Sequence, residues 1–151
     1  MHPAPERLDL RVLVVEGASP FRSRLDLRAI RRTVRRAALD QGLRQGTLNL
    51  VLTGDDDLRR LNRAHRGIDA PTDVLSFDLR EGASSGEDPL GEVYISLPYA
   101  RRRASERRRS LQREVLHLAV HGVLHVAGHD HETDEAWREM ERETRRYTRE
   151  T

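Results

Sequence analysis

The sequence of 151 residues contains neither cysteine nor lysine. Without thiols the chain can form no disulfide bond and can offer a metal ion no thiolate ligand. All 27 basic residues are arginine, which keeps its charge at high pH, so a net charge of only +2 already gives a pI of 9.6. The overall charge therefore says little about a partner.

Aromatic and apolar side chains are also scarce, at 4% and 36% of the residues. The core must therefore be built mainly from aliphatic residues. No apolar run approaches the roughly 18 residues that cross a membrane, and the opening MHPAPERLDL lacks the apolar centre of a signal peptide. We expect a cytoplasmic protein without membrane segments, folded as one domain over residues 1–151.

Arginine is concentrated in two segments. Residues 22–36 hold seven arginines and one aspartate, and residues 101–109 hold six arginines and one glutamate. Local patches of this kind favour a polyanionic partner, although a solvated face is the alternative interpretation. In the first segment, the arginines that we predict to contact such a partner lie on one helical face. They are Arg24, Arg28, Arg31 and Arg35.

Hydrophobic periodicity predicts an α/β (α+β) fold in which a roughly four-stranded mixed sheet packs with four to six helices. The predicted strands are 10–15, 47–53, 72–79 and 91–97. The predicted helices are 23–41, 56–65, one that opens at Pro98, one from Ser110 to about Ala127 and one from Thr133. We also predict that Thr53 or Asp55 caps the helix 56–65, and that 81–89 is a loop.

The segment 121–131 reads HGVLHVAGHDH, and it ends a helix that is apolar almost all round. His121 and His125 are four residues apart and therefore lie on one face of that helix. Gly128 stands where a helix can end in a left-handed turn, which could bring His131 back to the same face. Three converging imidazoles suit one zinc ion with a position left for water.

The spacing also matches the H-E-x-x-H-x-x-G-x-x-H pattern of zincin-type enzymes, so the helix is predicted to be a zincin-like metal helix. The match departs at one position, because Gly122 stands where those peptidases carry their general base, a glutamate. This departure argues against an ordinary metalloprotease.

Three neighbours of these histidines each allow two interpretations. His117 lies one turn before His121 and is either a support for the metal site or, as we favour, a packed core residue. His129 either points away from the metal or competes as a ligand. Asp130 either orients a ligand imidazole or caps the next helix.

HGVLHVAGHDH closely resembles the H-G-x-L-H-L-x-G-Y-D-H signature of the YbeY family, which are bacterial metal-dependent endoribonucleases. LNRAHRGIDAPTDVLSF (61–77) and LGEVYIS (90–96) resemble two further segments of that family, in the same order. The likeness covers roughly residues 48–145. The departures are His65 and His129 in place of tyrosine, Val126 in place of leucine and Glu92 in place of aspartate.

The resemblance implies one Zn²⁺ per chain, held by His121, His125 and His131, with another divalent metal that imidazole binds, such as nickel, as the alternative. It implies that Arg66 and His121 belong to the catalytic machinery, and that Arg66 grips a phosphate. It also implies cleavage of single-stranded ribosomal RNA in small-subunit maturation at the 3′ end and in ribosome quality control, with the ribosome or small-subunit proteins as partners. The arginines of the first segment then become candidate contacts to the RNA backbone.

Thr72, Asp73 and Ser76 could line the site, but capping and strand roles explain them equally well. Two other functions stay open at this point. One is hydrolysis of a different phosphoester or of a peptide. The other is a non-catalytic ribosome assembly factor whose zinc is structural, and such a site would need a fourth protein ligand.

Overall fold

The structure is a computed structural model, and it describes residues 7–80 and 89–149. The strands are β1 (Arg7–Val14), β2 (Gln45–Thr53), β3 (Val74–Asp78) and β4 (Pro89–Ser96). The α-helices are α1 (Leu27–Asp40), α2 (Asp55–Arg66), α3 (Leu97–Glu106), α4 (Leu111–Val126) and α5 (Asp134–Thr148). A 3₁₀ segment spans Glu16–Arg24. The predicted α+β class is confirmed.

The four strands form one sheet in the order β1-β2-β4-β3. β1, β2 and β4 run parallel, whereas β3 pairs antiparallel with β4 at the edge of the sheet. The predicted mixed sheet is therefore confirmed. β1 and β3 lie at opposite edges, and this separation decides which predicted site residues can meet.

α4 is the central helix of the fold. It contacts α1, α3, α5 and the strands β3 and β4, because apolar side chains surround it on nearly every side. α1 and α4 run parallel, since Gln112 bonds to Asp26 where both helices begin, and His129 bonds to Gln41 where both end. The helix that is apolar almost all round in the sequence is therefore buried in the fold.

The predicted helix over 23–41 begins too early. Its first residues belong to the 3₁₀ segment, and α1 starts only after Asp26, whose carboxylate accepts the Ala29 N–H at 3.0 Å. An aspartate at this position satisfies one of the unpaired N–H groups of a first helical turn, and it thereby sets where the helix starts. Helical periodicity alone did not reveal this boundary.

The predicted caps have mixed outcomes. Ser110 and Thr133, where two helices were predicted to begin, cap α4 and α5 by accepting backbone N–H groups at 3.2 and 3.0 Å. The alternative that Asp130 caps the last helix is therefore wrong. The prediction for α2 is wrong, because Gly54 is its N-cap, and the Thr53 hydroxyl donates instead to the Asp57 carboxylate at 2.6 Å. α2 has no side-chain cap, but its first turn holds three aspartates. Their negative charges stabilise the helix because they lie at the positive end of its dipole.

The predicted loop over 81–89 lies outside the described residues except for Pro89, which begins β4. Among the described helices, none combines the length and the apolar character that a membrane crossing requires.

Candidate metal centre

The C-terminal end of α4 reverses the chain through a left-handed turn at Gly128, whose φ is +110°. The Gly128 N–H donates to the His125 carbonyl at 3.0 Å, and the His129 N–H donates to the Leu124 carbonyl at 3.0 Å. These two bonds are the ones that pair the last carbonyls of a helix in a Schellman ending. The predicted turn is therefore confirmed, and it places His131 beside α4.

The turn brings three imidazoles together. One ring nitrogen from each of His121, His125 and His131 lies within 4.8 Å of the others. The ring centroids of His121 and His131 lie 5.0 and 4.7 Å from that of His125. Zinc–nitrogen bonds of about 2.0–2.1 Å put tetrahedral ligands about 3.4 Å apart, so small side-chain rotations would close the group around one ion.

The chemistry of these donors fits zinc. Burial lowers the pKa of His125 to about 4, and it also lowers the pKa of His121, so both rings are neutral at pH 7. A neutral imidazole offers a lone pair without first losing a proton. The buried Nδ1 atom of His121 has no hydrogen-bond partner among the described residues. The protein therefore buries the His121 ring but leaves its Nδ1 atom without a hydrogen-bond partner among the described residues.

A fourth protein ligand is not part of this group. Within the described ranges, the cluster that could hold a metal contains the three histidines alone. His129 turns away from it, because its Nε2 lies 2.8 Å from Oε1 of Gln41. The Asp130 carboxylate accepts the Glu132 N–H at 3.2 Å and so stabilises the loop, while the cap of α5 is Thr133.

Carboxylates from two distant segments surround the histidine face of α4. Asp73 precedes β3 and Glu141 lies on α5, and the negative charge of each acts on His117 and His121. The His117 ring is half-buried and stacks on that of His121 at 6.3 Å, so it lies beside the site and not within the apolar core. Sequence reasoning missed Glu141, because nothing distinguishes it from the other acidic residues of α5.

Gly122 occupies the position of the zincin glutamate for a packing reason. A Cβ atom there would lie 2.5 Å from Cγ1 of Val93, because α4 packs directly onto β4 at this point. Position 122 therefore faces the sheet and not the imidazoles. A glutamate side chain would have no room there, so a general base cannot come from this position.

Arg66 is the last residue of α2, and Gly67 follows it in the left-handed conformation at φ +70°. Arg66 is exposed, and the ring of the preceding His65 packs on Phe77 of β3 with centroids 4.7 Å apart. β3 contacts α4 through its other face, because Ser76 pairs with Val93, which meets α4 at Gly122, whereas Phe77 points the opposite way. α2 and α4 therefore pack on opposite faces of the sheet beside β3, and an approach of Arg66 to the histidines stays a prediction.

Thr72 and Ser76 are half-buried and lie just before and within β3. The Thr72 hydroxyl donates to the Asp73 carboxylate at 3.4 Å, and the backbone carbonyl of Asp73 accepts the Ser96 N–H at 3.0 Å. These bonds tie the turn before β3 to the end of β4. A direct role of either hydroxyl at the metal site stays a prediction.

The arginines of α1 lie at the other edge of the sheet. Arg31 and Arg35 each donate one N–H to a carbonyl of β1, at 2.6 and 2.9 Å. They satisfy acceptors that an edge strand leaves unpaired, a role that the sequence did not predict. Arg24 lies in the 3₁₀ segment, and Arg28 lies exposed on α1. Contact of these four residues with an RNA backbone stays a prediction.

The second basic segment has a clear structural role. Arg107 and Arg109 form ion pairs with the two carboxylate oxygens of Glu114, at 3.0 and 3.2 Å. Glu114 is 0% exposed in the first turn of α4, and its burial raises the pKa of the carboxyl, although the two guanidinium groups oppose that shift. Part of the arginine patch therefore neutralises a buried acid.

A mixed sheet whose covering helix ends in three converging imidazoles defines an α+β protein with a zincin-like metal centre. The sequence profile of endoribonuclease YbeY matches residues 22–151. The chain belongs to the endoribonuclease YbeY family, whose named members are hydrolases that act on RNA. The predicted resemblance is thereby confirmed.

Individual relatives agree with this assignment. The endoribonuclease YbeY of Pelotomaculum thermopropionicum is 49% identical over 102 residues, which are 65% of this chain and 67% of that protein. That of Moorella thermoacetica is 41% identical over 124 residues, 76% of this chain and 80% of that protein. The solution structure of TM1509 from Thermotoga maritima shares 29% identity and a TM-score of 0.62, over 93% of this chain and 87% of that one.

Proposed function

We propose that this protein is a zinc-dependent endoribonuclease that cuts single-stranded ribosomal RNA during maturation of the small-subunit 3′ end, and that it also serves ribosome quality control. The observation that carries the proposal is the group of three imidazoles within 4.8 Å, in a chain of the endoribonuclease YbeY family. We further propose that it acts in the cytoplasm with the ribosome or small-subunit proteins as partners.

His121, His125 and His131 would hold the zinc ion. Zinc supplies a Lewis acid for a phosphoryl oxygen and lowers the pKa of a bound water to about 7. Cleavage of a phosphodiester concentrates negative charge on the phosphoryl oxygens, and a guanidinium group can bind two of them at once. Arg66 would supply that group, because it is exposed and stands at the arginine position of the family segment that LNRAHRGIDAPTDVLSF resembles.

The structural-zinc alternative needs a fourth protein ligand, and the positions of His129 and Asp130 count against one. The peptidase alternative needs a general base near the metal. The close packing of Gly122 on Val93 argues against it. RNA cleavage by a centre with an open position is therefore the function that these observations favour.

The test is cleavage of a single-stranded ribosomal RNA fragment by zinc-loaded protein. Wild type is compared with His125→Ala, Arg66→Ala and a sample treated with chelator, all purified identically. Arg63→Ala is the matched control, because Arg63 is an exposed arginine one turn earlier on the same helix.

We expect wild type and Arg63→Ala to cut the RNA at similar rates. His125→Ala and the chelated sample should be inactive, and Arg66→Ala should lose at least about 100-fold, as when one charge-stabilising donor is removed from an active site. Equal cleavage by every sample would identify a contaminating nuclease. Absence of cleavage by wild type that holds zinc would favour the assembly-factor function.

A further inference from the structure

A chain of side-chain hydrogen bonds joins the loop after α4 to two other helices. The Gln41 side-chain oxygen lies 2.8 Å from Nε2 of His129, and the Gln41 amide group donates to the Tyr147 hydroxyl oxygen at 3.2 Å. A carboxamide oxygen can only accept, so Nε2 of His129 carries the hydrogen and donates. Gln41 ends α1 and Tyr147 lies near the end of α5, where it is 2% exposed.

This chain lies beside the third metal-ligand candidate. His129 precedes His131 by two residues, and the loop between α4 and α5 carries both. The loop's other described bonds are local, namely the helix ending at Gly128, a bond between the His125 ring and the His129 backbone, the turn closed by Asp130 and the cap of α5 by Thr133. Such local bonds set the shape of the loop but not its position against α1.

The placement of His131 depends on the position of this loop, whereas the placement of His121 and His125 does not. His121 and His125 are half-buried on a rigid helix, whereas His131 is exposed on the loop. A ligand on a loop binds a metal well only when something holds the loop in place, and partners that orient ligands typically contribute 10–100-fold in metal affinity.

We propose that His129 is a positioning residue for the metal centre, which through its bond to Gln41 holds the loop where His131 can complete the three-histidine site. This inference rests on the zinc centre of the proposed function. It also explains a departure from the signature that the chain resembles, which has tyrosine at this position. A tyrosine hydroxyl can donate the same kind of bond as the imidazole of His129.

A matched control exists at the other end of the same helix pair. The Gln112 side-chain oxygen accepts the Asp26 N–H at 2.9 Å, and its amide group donates to the Asp26 carbonyl at 3.1 Å. Gln112 therefore also joins the α1 and α4 regions through a glutamine side chain, but it does so where the two helices begin. Loss of Gln112 should weaken the helix pair without moving the loop of His131.

The experiment measures the zinc dissociation constant by competition with a chromophoric chelator and the melting temperature of each metal-free protein. The variants are His129→Phe, His129→Tyr, Gln41→Ala and Gln112→Ala. We expect His129→Phe and Gln41→Ala to bind zinc about 10-fold more weakly. His129→Tyr should bind within about 2-fold of wild type, and so should Gln112→Ala even though it melts at a lower temperature.

Unchanged zinc affinity in His129→Phe would overturn the proposal, and so would an equal loss of affinity in Gln112→Ala. RNA cleavage by the same wild-type preparation separates this failure from that of the proposed function. If wild type binds zinc and cleaves RNA while His129→Phe binds zinc equally well, only the positioning role is lost. If wild type binds no zinc, both proposals fail.

Discussion

Each end of α4 holds polar side chains that are wholly or partly buried, and the two ends differ in the groups that surround those side chains. In the first turn, Glu114 is 0% exposed and meets Arg107 and Arg109 at 3.0 and 3.2 Å. Two turns later, the rings of His121 and His125 lie next to each other and to the ring of His131, and Nδ1 of His121 has no hydrogen bond within the described residues. At the first end the protein supplies the countercharges, although Oε2 of Glu114, like Nδ1 of His121, has no hydrogen bond within the described residues. At the other end the imidazoles of His121 and His125 are neutral at pH 7 and need no countercharge, and we propose that a metal ion is the partner.

The difference follows from the chemistry of the two groups. A carboxylate keeps its charge unless its pKa rises far, so its burial requires cations from the protein. An imidazole can lose its proton, and burial lowers the pKa of His125 to about 4. The buried neutral ring then keeps a lone pair that a metal ion can use. Buried polar groups alone therefore do not indicate a metal site, whereas converging neutral imidazoles favour one.

Metal removal should give the largest effect, and only at the histidine end. A ligand at 1,000 times its dissociation constant adds about 4 kcal/mol to the free energy of unfolding. Thermal melting with zinc and with chelator should reveal this difference in wild type and in Glu114→Gln, but not in His125→Ala. A chelator that leaves the wild-type melting temperature unchanged would contradict the comparison.

The double substitution Arg107→Met with Arg109→Met should give the next largest effect. It leaves the Glu114 carboxyl buried without a cation, and removal of one side of a buried ion pair costs about 3 kcal/mol or more. Urea unfolding of the metal-free protein measures the loss. Zinc affinity should stay at the wild-type value, and a matching fall in that affinity would mean that the two ends of α4 are not independent.

Gly122→Ala tests the packing of α4 on β4 at a position between the two ends of the helix. The added methyl group would lie 2.5 Å from Cγ1 of Val93, and overpacking of this kind costs about 2 kcal/mol. The same urea titration applies. Val93→Ala in the Gly122→Ala background should recover part of the loss, because it removes the atom that the new methyl meets. If the double variant loses the full sum of the two single losses, the close approach of α4 to β4 is not the cause.

Glu114→Gln should give the smallest effect, and its sign depends on pH. Burial raises the pKa of Glu114 in the folded state, so the carboxyl's contribution to stability is present below its unfolded pKa and is lost as pH rises through the folded pKa. Glutamine stays neutral and shows no such loss. The stability of Glu114→Gln relative to wild type should therefore increase as pH rises through this window. Urea unfolding at a series of pH values would contradict this if the difference stayed constant or changed in the other direction.

The features that the sequence predicted are mostly local. Ser110 and Thr133 cap their helices through bonds to residues three positions away, and Gly128 turns the chain by bonds within one helical ending. The spacing of His121, His125 and His131 combines helix periodicity with that turn, so the cluster was predictable as well.

The features that the sequence did not reveal depend on contacts between distant segments. The bond between Gln41 and His129 spans 88 residues, and no pattern near either residue indicates it. The charges of Asp73 and Glu141 reach the histidines only because β3 and α5 both pack on α4. For Arg31 and Arg35, helical periodicity predicted a common face, but not that this face lies along the open edge of β1.

Both proposals require the three imidazoles at the end of α4 to hold one metal ion. A calorimetric zinc titration of the metal-free wild type beside His125→Ala and Glu114→Gln tests this requirement. We expect one ion per chain for wild type and Glu114→Gln, and no specific binding for His125→Ala. Wild type that binds no zinc, or His125→Ala that binds one ion as tightly as wild type, would contradict it.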